Sequence, residues 1–544
     1  MTAELGAEAS SAALPARQAA LAGHRWLAVA CWTAGTVAAF ACFLQLARTR
    51  SVDSDGASIA LQAWDMLHGN VLLHGWWLSD VSFYTTELPE YLLVELVRPL
   101  NADVVHVAAA LTYTLVLLLA ALLAKGTATG RAAVARVLIT VGIMLAPQLS
   151  SGVKILISSP DHIGTTAPVM AVWLILDRAR QRWIVPVIAT IILAWAAVAD
   201  ALVLFIGVLP VIGVCIIRVW RAVVVEGRPL RSQWFGIGLG AGAVLAAGIA
   251  ELALLAIRAA GGFVVGPLST HVVGSVSGLP HSLNVTAQSL LLVAGADFLN
   301  YPPTGAAAAG AAPAFIWLHL AGVLAIVLGV AVAAWRFRRN LGLVDQLLLT
   351  AIAINVVAYL FSTQSTSVLT ARETVAVLPF SAVLAGRMLA CRVLAVRRLP
   401  IVLLVVLAGY IAALGYGLTQ PVASPQNQQL ASWLVAHDLR SGLAGYWESN
   451  VITLATGEHI TVRQISATRA GTRVMPYRWE SRSAWYNPGQ ASANFVVLTR
   501  GTAEFPGFAD ESAVLATFGK PARVDHVGRY LVLVWHRNLL RDLG

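Results

Sequence analysis

Two aspartates stand directly after the first long apolar run, in a position where a carboxylate could do chemistry. Asp53 and Asp55 follow the run Trp26–Ala47 within the segment Arg50-Ser-Val-Asp-Ser-Asp-Gly-Ala. Carboxylates set against a membrane surface are costly to desolvate, which makes them candidates for function. One of them could take a proton from a hydroxyl as a general base. The alternative is structural, because an aspartate before an amphipathic run is also a good helix N-cap.

A further acid, Asp161, lies beside His162 in the segment Ser158-Ser-Pro-Asp-His. Together with Asp55 it could orient an acceptor hydroxyl or hold a divalent metal ion, since carboxylates are ligands of hard cations. The structural alternative is a Pro-Asp turn that begins a helix. Asp200 also stands at the end of an apolar run, and capping or turn formation explains it equally well.

Arg372, in the segment Thr370-Ala-Arg-Glu-Thr, is the candidate for binding a phosphate. A guanidinium can bind a phosphate through two parallel hydrogen bonds, and it can stabilise charge on a departing phosphate. Lys154 and Arg258 are alternative phosphate partners. The adjacent Glu373 offers a structural alternative, in which it ties Arg372 into an ion pair.

Trp76 and Trp77 could stack on a sugar ring, although tryptophan is common at membrane interfaces for physical reasons alone. His68, His74 and His162 do not show the spacing of metal ligands. The four cysteines show no Cys-x-x-Cys spacing, and we interpret them as small apolar residues.

The elements that must position these residues are membrane-spanning helices. Of the 544 residues, 58% are hydrophobic and 12% are charged, about half the charged fraction of a soluble domain. The net charge of +10 comes from arginines at the ends of apolar runs, which is typical of topology signals and argues against nucleic-acid binding. Three lysines against 34 arginines indicate a GC-rich, actinobacterium-like source.

A span needs about 20 apolar residues, and the sequence offers about eleven such runs. The first is too long for a signal-peptide core, so we expect it to remain as a span. The predicted spans are 26–47, 104–124, 133–150, 164–177, 183–199, 201–217, 234–257, 312–335, 342–361, 373–391 and 399–419.

Positive charges alternate between the connections and predict the orientation. One set of connections holds seventeen Lys and Arg residues, and the other set holds six: Arg48, Arg50, Arg98, Lys154, Arg258 and Arg372. Loops rich in Lys and Arg are cytoplasmic. The sequence therefore predicts a multi-pass plasma-membrane protein with a cytoplasmic N-terminal tail, 1–25, and an extracytoplasmic C-terminus.

The transmembrane part is predicted at 26–419. Three long segments, two within it and one after it, fall on the predicted outer side. Segment 48–103 has the mixed composition of interfacial helices, and loop 258–311 is a candidate mobile loop with one amphipathic piece around Ser282–Ala294. Residues 420–544 predict a small α/β domain, with a helix at Ser424–Leu439. Its strands are predicted at Val451–Leu454, Ile460–Arg463, Asn494–Leu498 and Arg529–Trp535.

Taken together, these features resemble the GT-C superfamily of polytopic glycosyltransferases. Asp55-Gly-Ala resembles the acidic position in the first outer loop, Leu67-His-Gly-Asn the following turn, and Glu87-Leu-Pro-Glu-Tyr the approach to the second span. Asp161 and Arg372 match a second outer acid and an arginine found in several such families. Gly56 departs from the usual acid after Asp55, and Glu373 stands where a tyrosine is frequent.

The resemblance implies an inverting hexosyl- or pentosyltransferase that uses a polyprenyl-phosphate sugar. Asp55 would be the general base, with Asp53 and Asp161 assisting it. Arg372, Lys154, Arg258, His162, Glu87 and Trp76 would bind substrate. The acceptor would be a cell-envelope glycan, lipid or protein. No cofactor is required by the sequence, and a divalent metal could bind Asp55 and Asp161.

Two other classes remain open. A transporter or flippase for a lipid-linked sugar would need ionisable residues near mid-membrane or repeated halves, and the sequence shows no internal repeat. A non-catalytic envelope-assembly scaffold would keep the architecture with a degenerate site. If Asp55, Asp161 and Arg372 were scattered in the structure, the scaffold would be favoured.

Overall fold

The structure, a computed structural model, describes residues 4–145, 154–158, 162–267, 270–273, 276–297, 312–337, 341–425, 427–499 and 509–543. Side chains are described in these ranges except at residues 4–25, 154, 276, 312 and 313. Predictions for Asp161, for the side chain of Lys154 and for much of loop 258–311 therefore lie outside the described residues.

The described chain is mainly helical. In chain order the α-helices are α1 (Glu4–Arg48), α2 (Ser54–Leu67), α3 (Glu87–Glu95), α4 (Ala102–Lys125), α5 (Gly130–Leu145), α6 (Ile163–Arg178), α7 (Ile184–Ala199), α8 (Leu209–Trp220), α9 (Trp234–Ala259), α10 (Leu279–Val293), α11 (Ala312–Arg336), α12 (Leu343–Leu360), α13 (Val377–Ala395), α14 (Leu399–Leu418), α15 (Gln428–Ala436), α16 (Tyr446–Ala455) and α17 (Glu511–Phe518). The strands are β1 (Trp76–Trp77), β2 (Ser441–Ala444), β3 (Thr461–Ala467), β4 (Val474–Pro476), β5 (Ser481–Arg482), β6 (Phe495–Thr499), β7 (Arg523–Val527) and β8 (Tyr530–Val534).

Each of the eleven predicted spans contains a helix. Within the described residues, eight helical segments are long and apolar enough to cross a membrane: Trp26–Arg48, Ala102–Lys125, Leu204–Val225, Leu230–Ala259, Ala314–Arg336, Leu343–Leu360, Val377–Ala395 and Leu399–Leu418. The other three, α5, α6 and α7, have 16 residues each, somewhat short for the roughly 30 Å hydrocarbon core. The predicted fold class, a polytopic helical protein with a C-terminal α/β region, is confirmed.

Helix α4 lies in the interior of the bundle. It is apolar enough to face lipid, but most of its residues are buried against other helices. Helices α11 and α14 are also apolar but keep most of their surface exposed, as expected of helices that face lipid. The two ends of the bundle differ. At one end the Arg387 guanidinium donates to Asp345 at 2.5 Å and to Asp177 at 3.0 Å, tying α13 to α12 and α6.

The other end, here called the site end, gathers the long connections. The nitrogen of Ala423, just after α14, donates to the carbonyl of Arg48 at the end of α1, at 2.8 Å. Ser82 similarly donates to the carbonyl of Ala199 at the end of α7, at 2.9 Å. The short helices α2, α3 and α10 lie at this end, where α2 packs against α3 and α10 packs against the 3-10 helix Val368–Thr374. The composition of segment 48–103 and of the piece around Ser282–Ala294 predicts such short helices.

The C-terminal region, residues 420–544, contains a six-stranded sheet in the order β4-β3-β2-β6-β8-β7. The central strand β2 pairs in parallel with β3 and β6, and the outer pairs are antiparallel. Apolar clusters cover both faces of the sheet, with α15 on one face and α17 on the other.

The prediction of a strand at Val451–Leu454 is wrong, because these residues lie in helix α16. The run Val-Ile-Thr-Leu has the β-branched composition of a strand, but it is wedged between the sheet and α2. Val451 and Leu454 are buried against the apolar side chains of α2 and α3, while Ile452 is buried against the sheet. Burial on all sides removes the polar face that would have revealed a helix. A helix was also predicted at Ser424–Leu439, and the observed helix α15 is shorter, spanning Gln428–Ala436.

Candidate functional site

The first turn of α2 separates the roles of Asp53 and Asp55. Asp53 is the N-cap residue in extended conformation, and its carboxylate accepts from the nitrogen of Gly56 at 3.2 Å. The capping alternative therefore describes Asp53. Asp55 lies two residues further on, and its carboxylate faces the centre of the site end.

Both oxygens of the Asp55 carboxylate receive hydrogen bonds from distant parts of the chain. The Nη1 of Arg372 lies 3.2 Å from Oδ2, and the hydroxyl of Tyr446 donates to Oδ1 at 2.6 Å. We call these three residues the Asp55 centre.

Different elements supply Arg372 and Tyr446. Arg372 lies on a short 3-10 helix, Val368–Thr374, between α12 and α13. Tyr446 is the first residue of α16 in the C-terminal region. Burial, followed by the charge of Asp55, raises the pKa of Tyr446 well above its usual value, so its phenol stays a hydrogen-bond donor at neutral pH. The Asp55 and Arg372 side chains keep 26% and 39% exposure, which leaves the ion pair accessible to a ligand.

A second group of charges surrounds His162, just before α6. Its Nδ1 lies 2.7 Å from the Asp200 carboxylate, and its Nε2 lies 3.4 Å from the Glu373 carboxylate. The Thr165 hydroxyl also donates to Asp200, at 2.9 Å. Burial opposes the charged ring, but the carboxylates of Glu373 and Asp200 outweigh it and raise the pKa of His162 well above its usual value. We call His162, Asp200 and Glu373 the His162 cluster.

The two groups adjoin through the neighbours Arg372 and Glu373. The structural alternative predicted an ion pair between Glu373 and Arg372. In the structure Glu373 instead contacts His162, and Arg372 pairs with Asp55. A cavity of about 220 Å³ opens on the His162 cluster. Asp80, Asn355 and Tyr359 add polar groups to its lining.

A divalent metal ion would need several carboxylate, imidazole or thiolate ligands. Among the described residues, no group of three or more His, Cys, Asp or Glu side chains is placed to hold a metal ion. The Asp55 carboxylate is paired with the guanidinium of Arg372. Asp161 lies outside the described residues, so the Asp55–Asp161 metal site stays a prediction, and no step below uses it.

Glu87 and Trp76 lie in packed interiors. Glu87 is fully buried, accepts from the Thr86 hydroxyl, and has its pKa raised well above its usual value by burial. A Cβ at Gly164 of α6 would lie 2.6 Å from the Glu87 carboxylate, so the glycine permits this contact. Trp76 is 1% exposed and donates to Asp65 at 2.7 Å. The prediction that Trp76 stacks on substrate is corrected, because no ring face is accessible.

Of the other two predicted phosphate partners, Lys154 and Arg258, the structure describes only the side chain of Arg258. Arg258 is exposed near the end of α9. Lys154 begins a short π-helical segment, Lys154–Ser158, and its side chain is outside the described set. Asp200 follows α7 as its C-cap residue, as the turn interpretation predicts, and it is also a member of the His162 cluster.

Sequence reasoning missed the polar face of α2 that receives the C-terminal region. Four successive contacts follow this face, and we call them the α2 ladder. Ser54 donates to the carbonyl of Tyr446 at 2.5 Å, Asn450 donates to Ser58 at 2.8 Å, Gln62 donates to Glu480, and Arg482 donates to Asp65 at 2.8 Å. The spacing of four, four and three residues is that of one helix face. Polar residues on one face of a buried helix were the signal that a polar partner was needed.

Glu480 gives the α2 ladder a pH dependence. It is 6% exposed and accepts from the nitrogen of Ser79 at 2.8 Å as well as from Gln62. Burial raises the pKa of Glu480 from 4.5 to about 7. The pKa of this carboxyl is higher in the folded protein than in the unfolded chain, so the protonated group stabilises the fold. That contribution is complete below the unfolded pKa and is lost as the pH rises through the folded pKa of about 7.

We therefore expect Glu480→Gln to flatten the fall in thermal stability between pH 5.5 and 8.5. At the higher pH the amide avoids burying a charge, which is worth on the order of 2–3 kcal/mol. Thermal unfolding of the detergent-solubilised full chain measures the effect. Glu511→Gln, at an exposed glutamate of the same region, is the matched control and should leave the wild-type slope. Equal slopes in wild type and Glu480→Gln would contradict the assignment.

The fold and site define a class: a polytopic helical membrane protein whose charged site is closed by a small α/β region of the same chain. No protein-family model and no curated protein matches the sequence. Among solved structures, the chain is similar to the crystal structure of the Archaeoglobus fulgidus oligosaccharyltransferase in the apo form, with a TM-score of 0.48 and 13% identity, over 86% of this chain and 69% of that one.

Proposed function

We propose that this protein is a membrane glycosyltransferase that moves a sugar from a polyprenyl-phosphate donor to a cell-envelope acceptor. The observation that carries the proposal is the Asp55 centre, in which a carboxylate and a guanidinium meet at the site end of the bundle. These are the two groups that such a transfer needs, a proton acceptor and a binder of anionic phosphate. They are also the residues on which the resemblance to the GT-C superfamily rests.

Arg372 binds the donor phosphate in this mechanism. In the ligand-free protein its charge is balanced by Asp55 at 3.2 Å, in a pair that is partly exposed. A phosphate can engage the planar guanidinium through two hydrogen bonds and so compete with the carboxylate. Donor binding would thereby weaken the contact between Arg372 and Asp55, which makes the carboxylate a stronger base at the moment when a base is needed.

Asp55 then accepts the proton of the acceptor hydroxyl. The acceptor oxygen bonds to the anomeric carbon while the bond from that carbon to the phosphate oxygen breaks. The electron pair of the broken bond leaves with the polyprenyl phosphate, where Arg372 stabilises the new charge. Attack from the face opposite the phosphate inverts the anomeric configuration in one step.

The cavity at the His162 cluster is the candidate sugar pocket. Its volume of about 220 Å³ is below the roughly 300 Å³ of the smallest drug-sized sites, which suits a single sugar ring. Among the carboxylates of this cavity, Asp80 and Glu373 offer oxygens to sugar hydroxyls, whereas Asp200 is engaged by His162 and Thr165. Glu373 adjoins the phosphate binder in the chain. The charged His162 offsets two of these acids and keeps the pocket polar.

We propose that the site end faces the outside of the plasma membrane, with the N-terminal tail in the cytoplasm. The arginine-rich connections support this orientation, since they lie at the end opposite the site. The polyprenyl-phosphate sugar would then reach Arg372 from the outer leaflet. The acceptor, which can be a glycan, a lipid or a protein, would approach on the side of the C-terminal region.

A transfer assay tests the proposal. Membranes containing the full chain are incubated with a panel of radiolabelled polyprenyl-phosphate sugars and a cell-envelope fraction, with the Asp55→Asn chain as the matched blank. We expect one donor to label the acceptor fraction in wild-type membranes alone. Equal labelling by both membranes across the panel would reject the enzyme. Movement of the donor across vesicles without transfer would instead favour a flippase.

A further inference from the structure

Tyr446 brings the C-terminal region into contact with Asp55. A residue of α2 holds the backbone of Tyr446, because the Ser54 hydroxyl donates to the Tyr446 carbonyl at 2.5 Å. Ser54 is the residue before Asp55. Its ring packs against Trp447 and Tyr477, with ring centroids 5.1 and 6.0 Å away. The phenol hydroxyl therefore has a set position when it donates to Asp55.

The rest of the α2 ladder holds Tyr446 there. One turn further along both helices, Asn450 donates to Ser58 at 2.8 Å. Beyond it, Glu480 accepts from Gln62, and strand β5 pairs with β1 through Ser481 and Trp77. The start of α16 is thus aligned with the start of α2 by contacts that run the length of α2.

Arg372 alone does not fix the direction of the Asp55 carboxylate. A single guanidinium nitrogen contacts Oδ2 at 3.2 Å in a partly exposed pair, and any ligand that binds Arg372 competes with that contact. The hydrogen bond from Tyr446 to Oδ1 is shorter, at 2.6 Å, and comes from a residue that is 8% exposed. This second contact would persist when the first is exchanged for a phosphate.

We propose that Tyr446 is a positioning residue for Asp55, so that the site is complete only when the C-terminal region is docked on α2. This inference rests on the proposed function. Tyr446 touches the base rather than the substrate, and it keeps one carboxylate oxygen engaged while the other turns to the acceptor hydroxyl. Holding a reacting group in its productive geometry is a large source of rate.

The test is Tyr446→Phe, with Tyr486→Phe as its matched control. Tyr486 is also 8% exposed, and its hydroxyl donates at 2.6 Å to the carbonyl of Gln464 in the same region. Each variant removes one buried phenol hydroxyl, so both should lower the unfolding temperature by similar amounts. We expect Tyr446→Phe to lower kcat about tenfold or more, as for a hydrogen bond to a charged group, with the donor KM unchanged. Tyr486→Phe should keep wild-type kcat.

A second measurement does not depend on transfer. The proteins are treated with a water-soluble carbodiimide and glycine ethyl ester at fixed pH, and amidation of Asp55 is followed by mass spectrometry of its peptide. Loss of the Tyr446 hydroxyl uncovers one oxygen and destabilises the carboxylate anion, so labelling should rise several-fold in Tyr446→Phe and not in Tyr486→Phe.

The outcomes separate the two ideas. Wild-type kcat in Tyr446→Phe, or an equal fall in both variants, overturns the positioning role while leaving the glycosyltransferase intact. If the wild type transfers no sugar, the proposed function fails. The labelling then still decides whether Tyr446 holds Asp55, since equal labelling of the two variants would overturn it.

Discussion

Asp55→Asn is expected to fold like the wild type and to bind donor at least as tightly, but to transfer sugar about 10²–10⁴ times more slowly, the usual contribution of a general base. The amide has the shape of the carboxylate, and its oxygen can still accept from the Tyr446 hydroxyl. It cannot take up the proton of an acceptor hydroxyl. The loss should therefore appear in kcat, measured with saturating donor in purified, lipid-reconstituted protein.

Two variants accompany Asp55→Asn. Asp103→Asn removes another aspartate at the site end, where Asp103 pairs with Arg48 at 2.7 Å, and it should leave transfer close to wild type. Asp53→Asn separates the two neighbouring acids, because asparagine caps a helix as well as aspartate does. If Asp53→Asn were the inactive protein and Asp55→Asn the active one, the two roles assigned in the first turn of α2 would have to be exchanged.

The helical part of the fold could be predicted because lipid makes a strong sequence pattern. Apolar runs bounded by arginine located a helix at every predicted span, including the break at Asp200 between α7 and the segment Leu204–Val225. Short buried elements gave a weaker pattern. Helix α16 was mistaken for a strand because packing on several sides leaves no apolar and polar faces to compare.

The site was predictable in residue type and not in arrangement. Asp55 and Arg372 could be chosen from their chemistry and their place at the ends of apolar runs. Their contact could not be predicted, because the two residues are 317 positions apart in the chain. The choice between Asp53 and Asp55 depended on which one caps α2, a matter of local backbone geometry. Tyr446 had no local signal, since its role follows from an interface between α2 and α16.

Glu373 shows how a motif can mislead by adjacency. Neighbours in sequence invite an Arg372–Glu373 pair, yet within the 3-10 helix Val368–Thr374 successive side chains point in directions about 120° apart. Arg372 therefore faces Asp55 and Glu373 faces His162. The departure from the pattern of the resembled family thus places a partly exposed guanidinium beside a carboxylate-lined cavity.

Arg372→Ala is expected to lower kcat/KM for the donor by about 10²–10³, the scale found when a group that stabilises developing charge is removed. Two effects combine, because the donor phosphate loses its guanidinium and the leaving group loses its counter-charge. Arg372→Lys should recover part of the activity, since lysine restores the charge without the planar, two-pronged donor. The recovery should appear mainly in kcat, with the donor KM still raised.

The matched control is Arg98→Ala, which removes an exposed arginine paired with Asp103 at the same end of the bundle. Exposed ion pairs contribute little stability, and Arg98→Ala should transfer sugar like the wild type. A lysine variant as inactive as the alanine variant would mean that geometry dominates over charge at this position. An alanine variant with wild-type kcat/KM would remove Arg372 from the phosphate site, and its pair with Asp55 would then be a structural contact between the 3-10 helix and α2.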